Sequence, residues 1–164
     1  MGEEFYIRIN TFMRSHDRMA AVLRRMDLTI TVVVFASYPL FLIWAFSHRP
    51  EDLPKVVGVP LFGFLGVTAA RVLIGKKRPY ERYAIIPLIR KNTVGRSFPS
   101  RHAFSVFMIA ETYLYATTDP FALPFYLLGL VLCACRVMLG VHYISDVSVG
   151  MVVALFCGVL YYIC

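Results

Sequence analysis

LTITVVVFASYPLFLIWAF, which occupies residues 28–46, contains no charged side chain. A helix needs about 20 apolar residues to cross the hydrocarbon core of a bilayer, and this stretch has that length. The chain of 164 residues is 59% hydrophobic and only 16% charged, whereas about a quarter of the residues in a soluble domain are charged. Length and composition together predict one domain of an integral membrane protein.

Four further apolar stretches follow the first. They occupy residues 56–74, 103–118, 121–139 and 147–164. Asp119-Pro120 makes a tight turn between two of them, and a long basic segment at 75–101 separates two others. We therefore predict an all-α fold, an integral-membrane helical bundle of about five transmembrane helices with residues 28–164 as its core. Glu111 interrupts one stretch, and we interpret it as a buried hydrogen-bonding group or a protonated carboxyl between helices.

The first 27 residues differ from the rest because arginines interrupt their apolar side chains. Arg8, Arg14 and Arg18 are too many charges for a membrane span. An amphipathic helix that lies in the membrane interface fits this pattern better. We predict a single domain of residues 1–164, in which residues 1–27 form the interfacial helix.

The net charge of +7 is concentrated beside the apolar stretches, in residues 8–25 and 71–101. Anionic headgroups or a phosphate substrate explain this better than a nucleic acid, because a nucleic-acid-binding module needs a soluble face. The cysteines lack the spacing of a metal site and are interpreted as small core residues. They are Cys133, Cys135, Cys157 and Cys164. We predict the bilayer and a lipid phosphate as partners, with no nucleic acid, metal or cofactor.

Polar residues gather where hairpins bring the ends of the spans together. Adjacent spans joined by short turns run antiparallel, so the ends of spans two and four meet the starts of spans three and five. The residues at these four places are Arg71, Arg78, Ser100, Arg101, His102, Arg136, His142 and Asp146. Ionisable groups are costly at a membrane, so this cluster is the candidate functional site.

Arginines form the first part of the cluster. Arg71 and Arg78 are seven residues apart, so they share a helix face if the helix continues past Gly75. Each presents a planar fork of donors that matches phosphate oxygens, and Arg136 adds another. Anchoring to lipid headgroups is the alternative for a single arginine.

Histidines and a carboxylate form the second part. His142 and Asp146 are four residues apart, so the carboxylate can fix the imidazole tautomer and leave the other nitrogen free to attack. A purely structural pair is the alternative. Ser100 is a plausible N-cap at a helix start that favours anions, and His102 lies in the first turn, where it can donate a proton.

Three segments resemble the signature motifs of the type 2 phosphatidic acid phosphatase (PAP2) family, which shares its core with vanadium haloperoxidases. They are RVLIGKKRP at 71–79, PSRH at 99–102 and RVMLGVHYISD at 136–146. The resemblance implies that His142 attacks phosphorus and forms a phosphohistidine, that Asp146 orients it, and that His102 protonates the leaving group. It also implies the residues that hold the phosphate, which are Arg71, Arg78, Ser100, Arg136 and, through its backbone, Arg101.

Three positions depart from the family pattern. The first motif usually opens with lysine and the second has glycine, where this chain has Arg71 and Arg101. The third motif usually begins with serine, where Cys135 loses one hydroxyl contact. Arg101 can add a phosphate or headgroup contact. None of the three changes removes a catalytic group.

The resemblance implies metal-independent removal of phosphate from a lipid phosphate or lipid pyrophosphate. Undecaprenyl pyrophosphate, phosphatidylglycerol phosphate and phosphatidic acid are the candidate substrates. A catalytically inert lipid-phosphate-binding protein, a haloperoxidase and a transporter are the alternatives. The intact His102, His142 and Asp146 argue against an inert protein, because binding needs no nucleophile, and no inverted repeat supports a transporter.

Two arguments disagree on the membrane face of the site. Relatives generally place it outside the cytoplasm, whereas the positive-inside rule points the other way, since the opposite end has only Arg49 and Lys55. We favour the extracytoplasmic face of a bacterial cell membrane. Labelling of cysteines introduced at Thr93 and Asp52 would decide the face. The sequence makes no prediction of the oligomeric state.

Overall fold

The computed structural model describes residues 2–83, 85–89, 94–117 and 120–163. Seven α-helices lie in these ranges, with 3-10 turns at Pro50–Asp52 and Pro120–Ala122. The helices are α1 (Glu3–Ser15), α2 (Asp17–His48), α3 (Leu53–Ile74), α4 (Pro79–Arg82), α5 (Arg101–Thr117), α6 (Leu123–Met138) and α7 (Ile144–Ile163). The all-α fold class is confirmed, and no strand occurs in the described ranges. Thr93, Asp119 and Cys164, which the sequence analysis singled out, lie outside them.

Four segments are long and apolar enough to cross a membrane. They are Asp17–His48, Pro50–Arg82, Pro120–Met138 and Ile144–Ile163. The remaining predicted span, residues 103–118, corresponds to α5, which has 17 residues and contacts α2, α3, α6 and α7. Residues such as Phe104, Phe107 and Tyr113 are buried on several sides of α5. The chain is therefore an integral membrane bundle built around a short central helix.

The N-terminal region divides at His16 rather than at residue 27. α1 ends at Ser15, and residues 17–27 are the first turns of α2. Nothing in that segment breaks a helix, and Asp27 is buried against the bundle. The predicted amphipathic helix is confirmed in a shorter form, because α1 buries Tyr6 and Asn10 and exposes its charged residues.

α1 packs against the loops at the end of the bundle where the candidate site lies. Asn10 Nδ2 donates to the Ile86 carbonyl at 2.9 Å. Tyr6 Oη accepts a hydrogen bond from the Ile144 backbone N–H at 3.2 Å, at the start of α7. The Tyr6 ring also packs edge-on against Tyr143, with 5.3 Å between centroids.

Glu111 lies where α5, α6 and α7 meet. Its Oε1 accepts a hydrogen bond of 2.6 Å from the Tyr126 hydroxyl of α6. Gly158 of α7 leaves the space that the Glu111 side chain fills. The interpretation of Glu111 as a hydrogen-bonding group between helices is therefore confirmed.

Candidate active site

Hairpin packing brings the predicted helix ends together. The Ser100 N–H, just before α5, donates to the Asp146 carbonyl of α7 at 2.9 Å. The chain turns back after α6 through Gly140, whose φ of 75° is in the left-handed region that glycine adopts readily. That turn lets the N–H groups of Val141 and His142 donate to the Arg136 carbonyl at 3.1 and 3.3 Å.

His142 lies at the centre of the cluster and is only 2% exposed. Its Nδ1 is 3.5 Å from Asp146 Oδ2 and 3.5 Å from Ser97 Oγ. Its Nε2 is 3.4 Å from Nη1 of Arg78. A proton on Nδ1 faces the carboxylate, so the lone pair of Nε2 faces the arginine.

Burial lowers the pKa of His142 to about 4, an effect that the hydrogen bond to Asp146 opposes and the Arg78 charge reinforces. The imidazole is therefore neutral at pH 7. A neutral imidazole with a fixed tautomer is the form that can act as a nucleophile.

Asp146 is fully buried and accepts hydrogen bonds from several donors. Lys76 Nζ lies 2.7 Å from its Oδ1, while the Ser97 hydroxyl and the Tyr143 N–H both donate to its Oδ2, the latter at 3.1 Å. These contacts hold the carboxylate against His142. They also stabilise its negative charge inside the protein.

Lys76 and Ser97 were not among the predicted site residues. Lys76 lies inside the first motif, and its ammonium group also sits 4.5 Å from the centre of the Tyr143 ring. Ser97 is completely buried and lies two residues before Pro99, where the second motif begins. Proximity to the motifs is the sequence signal that could have indicated both.

Arg71 and Arg78 reach the site by a different path from the predicted one. α3 ends at Ile74 because Gly75 takes a left-handed φ of 60°, so the two arginines do not share a helix face. Arg78 instead precedes α4, with backbone in the extended region. Both guanidinium groups nevertheless donate to the Arg96 carbonyl, Arg78 through Nη2 at 3.4 Å.

The guanidinium groups also support the loop that precedes α5. Arg71 Nη1 donates to the carbonyl of Pro99 at 2.6 Å and lies 3.4 Å from that of Ser97. Arg78 Nη1 donates to the Val141 carbonyl at 3.0 Å, next to His142. The loop path and the arginine positions therefore depend on each other.

Arg136 is held from the side of α2. Its Nε is 2.7 Å from Asp27 Oδ1, and its Nη2 is 3.4 Å from the Thr31 hydroxyl. Nη1 is buried and has no hydrogen-bond partner among the residues that the structure describes. Buried donors are ordinarily satisfied, so this N–H group is available to a ligand.

Ser100, Arg101 and His102 begin α5. The Ser100 hydroxyl accepts a long hydrogen bond of 3.4 Å from the Ala103 N–H. The Arg101 guanidinium lies 5.6 Å from the centre of the Phe64 ring of α3. The His102 ring lies 6.3 Å from the Phe35 ring of α2. The two side chains thus face α3 and α2, whereas the Ser100 backbone faces α7.

An apolar groove of about 300 Å³ runs between α2, α3 and α5. Phe35 and Phe64, the rings beside His102 and Arg101, belong to its walls. The remaining lining residues are Tyr38, Leu42, Val57, Pro60, Leu61, Phe104, Ser105, Met108 and Ile109. The groove therefore borders the start of α5, beside Arg101 and His102.

Metal ligands do not gather at this site. Within the described ranges, no three His, Cys, Asp or Glu side chains are grouped as a cation would require. The charges that surround His142 are those of arginine, lysine and one carboxylate.

Comparison with solved structures shows the same fold in two bacterial proteins. The crystal structure of Aquifex aeolicus LpxE has a TM-score of 0.77 and 22% identity, over 98% of this chain and 94% of that one. A transmembrane PAP2 type phosphatidylglycerolphosphate phosphatase from Bacillus subtilis has a TM-score of 0.64 and 18% identity, over 96% of this chain and 90% of that one. Curated protein sequences give no significant match.

The family comparison covers the part of the chain that carries the motifs. A family model described as the PAP2 superfamily matches residues 56–164, which include most of α3, all of α4 to α7 and all eight predicted site residues. This match extends over more than half of the chain and agrees with the fold and with the three motifs. The chain belongs to the PAP2 superfamily.

Proposed function

We propose that this protein removes phosphate from a lipid phosphate or lipid pyrophosphate through a phosphohistidine on His142. The observation that carries the proposal is the orientation of this side chain. Its Nδ1 faces Asp146, and its Nε2 faces the guanidinium of Arg78 at 3.4 Å. A nucleophile and a phosphate-binding group are therefore adjacent.

In the first step, Nε2 of His142 attacks phosphorus and the bond between phosphorus and the leaving oxygen breaks. The Nδ1–H stays on the ring and faces the Asp146 carboxylate, which stabilises the cationic phosphohistidine. His102 gives its proton to the leaving oxygen, because it lies in the first turn of α5 beside the lipid groove.

In the second step, a water oxygen attacks the phosphohistidine and His102 takes the water proton. The N–P bond breaks, which returns a neutral His142 and releases inorganic phosphate. Arginines stabilise the charge that develops on the phosphoryl oxygens in both steps. In this proposal Arg78 and the unsatisfied Nη1 of Arg136 take this role, together with Arg71 and the N–H groups at the start of α5.

The groove between α2, α3 and α5 supports a lipid as substrate. A lipid tail in this groove would place its headgroup at His102 and Arg101, where the groove ends. The name of one similar structure fits this substrate class, since that protein is a phosphatidylglycerolphosphate phosphatase. The lipid tail would stay in an apolar environment throughout the reaction.

We propose that the reaction needs no metal ion, because fixed cationic side chains already face the phosphate. We also propose that residues 1–164 act as one domain and that the site faces the extracytoplasmic side. Cysteines introduced at exposed Lys77, on the site end, and at Asp52, on the opposite end, would report that face through a membrane-impermeant thiol reagent.

Phosphate release from the purified full chain tests the function. The substrates are phosphatidic acid, phosphatidylglycerol phosphate and undecaprenyl pyrophosphate, each with and without a chelator. Release from at least one, unaffected by the chelator and abolished in His142→Ala, is expected. His48→Ala changes an exposed histidine at the opposite end and is the matched control. An unchanged rate in His142→Ala would exclude the proposed nucleophile.

The inert alternative is tested separately by trapping the intermediate. Quenching the enzyme with alkaline detergent during turnover of a ³²P-labelled substrate should give a base-stable, acid-labile label, as expected of a phosphohistidine. The label should be absent from His142→Ala. Lipid binding without any label or release would identify a catalytically inert lipid-phosphate-binding protein instead.

A further inference from the structure

A small cleft lies beside the His142 site on the side of α3. It has a volume of about 30 Å³ and is lined by Thr68, Arg71, Val72, Arg96 and Arg101. Three of the five lining residues are arginines. The mechanism proposed above uses neither Thr68 nor the side chains of Arg96 and Arg101.

Arg71 donates to backbone carbonyls, whereas the other polar side chains of this cleft have hydrogen-bonding capacity that the described residues leave unused. Neither Arg96 nor Arg101 forms an ion pair with a carboxylate in the described part of the chain. The Thr68 hydroxyl is buried and has no hydrogen-bond partner among the described residues. A threonine in a helix ordinarily bonds to a carbonyl one turn earlier, whereas this hydroxyl keeps its hydrogen-bonding capacity for an oxygen atom in the cleft.

The cleft lies next to the His142 site, and hydrogen bonds to the Arg96 carbonyl connect the two. The Arg96 carbonyl accepts hydrogen bonds from Arg71, which lines the cleft, and from Arg78 at 3.4 Å. Arg78 in turn is 3.4 Å from Nε2 of His142. A phosphate at His142 therefore lies one arginine away from the cleft.

We propose that the cleft binds oxygen atoms of a second phosphate group of the substrate. The inference rests on the proposed function and narrows it to lipids with two phosphate groups close together, in a diphosphate or in a phosphomonoester linked to a phosphodiester. The cleft has room for about two oxygen atoms, which fits oxygens that project into it from a group bound at its mouth. Arginine forks and a hydroxyl are the donors that such oxygens need.

The cleft depends on Arg101, a position at which this chain departs from the usual second motif. It stands where relatives usually have glycine, and its guanidinium closes the cleft against α3. A lipid with a single phosphate leaves the cleft without a ligand. The buried Thr68 hydroxyl then stays unpaired, which disfavours that substrate relative to one with two phosphates.

Anion binding tests the cleft without turnover. Pyrophosphate and orthophosphate are titrated by calorimetry into the full-length His142→Ala protein in detergent. Pyrophosphate is expected to bind at least about tenfold more tightly, and Arg101→Gln and Thr68→Val are each expected to reduce that ratio by about three- to tenfold. Thr68→Val keeps the shape of the side chain and guards against misfolding. The proposal is overturned if pyrophosphate and orthophosphate bind equally tightly, or if neither variant changes the ratio of their affinities.

Lys77→Gln is the matched control for general attraction of anions. Lys77 is exposed, belongs to the same end of the molecule and lines neither the cleft nor the His142 site. The Lys77→Gln variant should change the ratio of the pyrophosphate and orthophosphate affinities by no more than about twofold. A loss as large as that of Arg101→Gln would mean that net charge, not the cleft, creates the preference.

Substrate kinetics then distinguish the two sources of a second phosphate. The kcat/KM for undecaprenyl pyrophosphate or for phosphatidylglycerol phosphate is expected to exceed that for phosphatidic acid at least about tenfold, and Arg101→Gln is expected to reduce this preference. Equal values for all three lipids overturn the subsite. Release from none of them contradicts the proposed function, and the calorimetric ratio alone then decides whether the cleft binds a second phosphate.

Discussion

Arg136 of α6 forms an ion pair with Asp27 of α2, with 2.7 Å between Nε and Oδ1 and with both side chains buried. The pair joins the end of one helix to the first turns of another. It fixes one edge of the guanidinium and leaves Nη1 directed elsewhere, without a hydrogen-bond partner among the described residues. In the proposed mechanism Asp27 is therefore a positioning residue, which acts on a phosphate through Arg136.

Asp27→Asn should reduce both stability and activity. Removing one charge of a buried pair leaves the other uncompensated, so the free energy of unfolding should fall by about 3 kcal/mol. The kcat/KM should fall about 10- to 100-fold, because the guanidinium loses its fixed position. Thermal unfolding in detergent and phosphate release measure the two effects.

Asp17→Asn is the control for this prediction. Asp17 is an exposed residue in the first turn of the same helix. Its replacement should change the free energy of unfolding by no more than about 1 kcal/mol and leave kcat/KM unchanged. If Asp27→Asn behaves like Asp17→Asn, then Arg136 does not depend on the ion pair.

Ser97→Ala should reduce kcat more than it changes KM. The Ser97 hydroxyl donates to Asp146 and lies 3.5 Å from His142 Nδ1, so its loss removes a donor from the group that orients the nucleophile. A hydrogen bond to a charged group contributes about 1.5–3 kcal/mol, which corresponds to about 10- to 100-fold in rate. Steady-state kinetics on the best lipid substrate give both constants.

Ser145→Ala is the companion variant, since Ser145 is exposed and lies 3.4 Å from the other oxygen of the same carboxylate. Its effect on kcat should be less than about threefold, because water can replace an exposed hydroxyl. Equal losses in the two variants would contradict a special role for Ser97.

The sequence predicted that the ends of the later spans meet, because hairpin topology determines this, and the family match confirms the resemblance that the three motifs carried. The sequence could not predict Ser97, which approaches Asp146 only through the path of an irregular loop. It also placed Arg78 on the face of a continuing helix, whereas the left-handed Gly75 ends α3 and sends the chain to the same site by another route. Local backbone conformation, rather than residue type, decided these two cases.

In the N-terminal region, sequence-based prediction was limited by contacts between residues that are far apart in the chain. Its arginines correctly predicted an amphipathic helix. Residues 17–27 belong instead to α2, where Asp27 pairs with Arg136, which is more than 100 residues away in the chain. Similarly, nothing in the pattern around Tyr6 indicates that its hydroxyl accepts a hydrogen bond from the Ile144 N–H. Such long-range pairs become visible only in three dimensions.

The kcat/KM should stay nearly constant as the pH falls from 7 to 5. Burial lowers the pKa of His142 to about 4, so the nucleophile should lose activity by protonation only near that pH. An acid limb of the kcat/KM profile with a midpoint between 6 and 7 would contradict a buried, neutral His142. A substrate whose own pKa lies outside the range should be used.

Because the pKa of His142 differs between the folded and unfolded states, its contribution to the free energy of unfolding depends on pH. An unfolded histidine titrates near 6.5, and the folded one titrates lower, so the unfolded state binds more protons between these values. Stability should therefore be complete above about pH 6.5 and decrease as the pH falls towards 4. His142→Gln, which cannot titrate, should lose this part of the pH dependence in unfolding experiments.

Gly150→Ala tests whether the packing of α5 against α7 sets the catalytic geometry. A methyl group at Gly150 would lie 2.6 Å from the Ser100 carbonyl oxygen and 3.2 Å from Ala103 Cβ, so the start of α5 must move away from α7. That movement strains the 2.9 Å hydrogen bond from the Ser100 N–H to the Asp146 carbonyl. Stability should fall by about 1–3 kcal/mol. The kcat of the folded fraction should fall at least about tenfold.

Two alanine substitutions separate this geometric effect from a general loss of stability. Gly58→Ala meets no atom within 4 Å and should be neutral or slightly stabilising in its helix. Gly158→Ala, at the far end of α7, would collide with the Glu111 side chain and should destabilise without changing the kcat of the folded fraction. If Gly158→Ala lowers that kcat as much as Gly150→Ala does, global packing rather than the contact at Ser100 controls the site. A loss confined to Gly150→Ala means that the α5–α7 contact positions Ser100 and His102 against the His142–Asp146 pair.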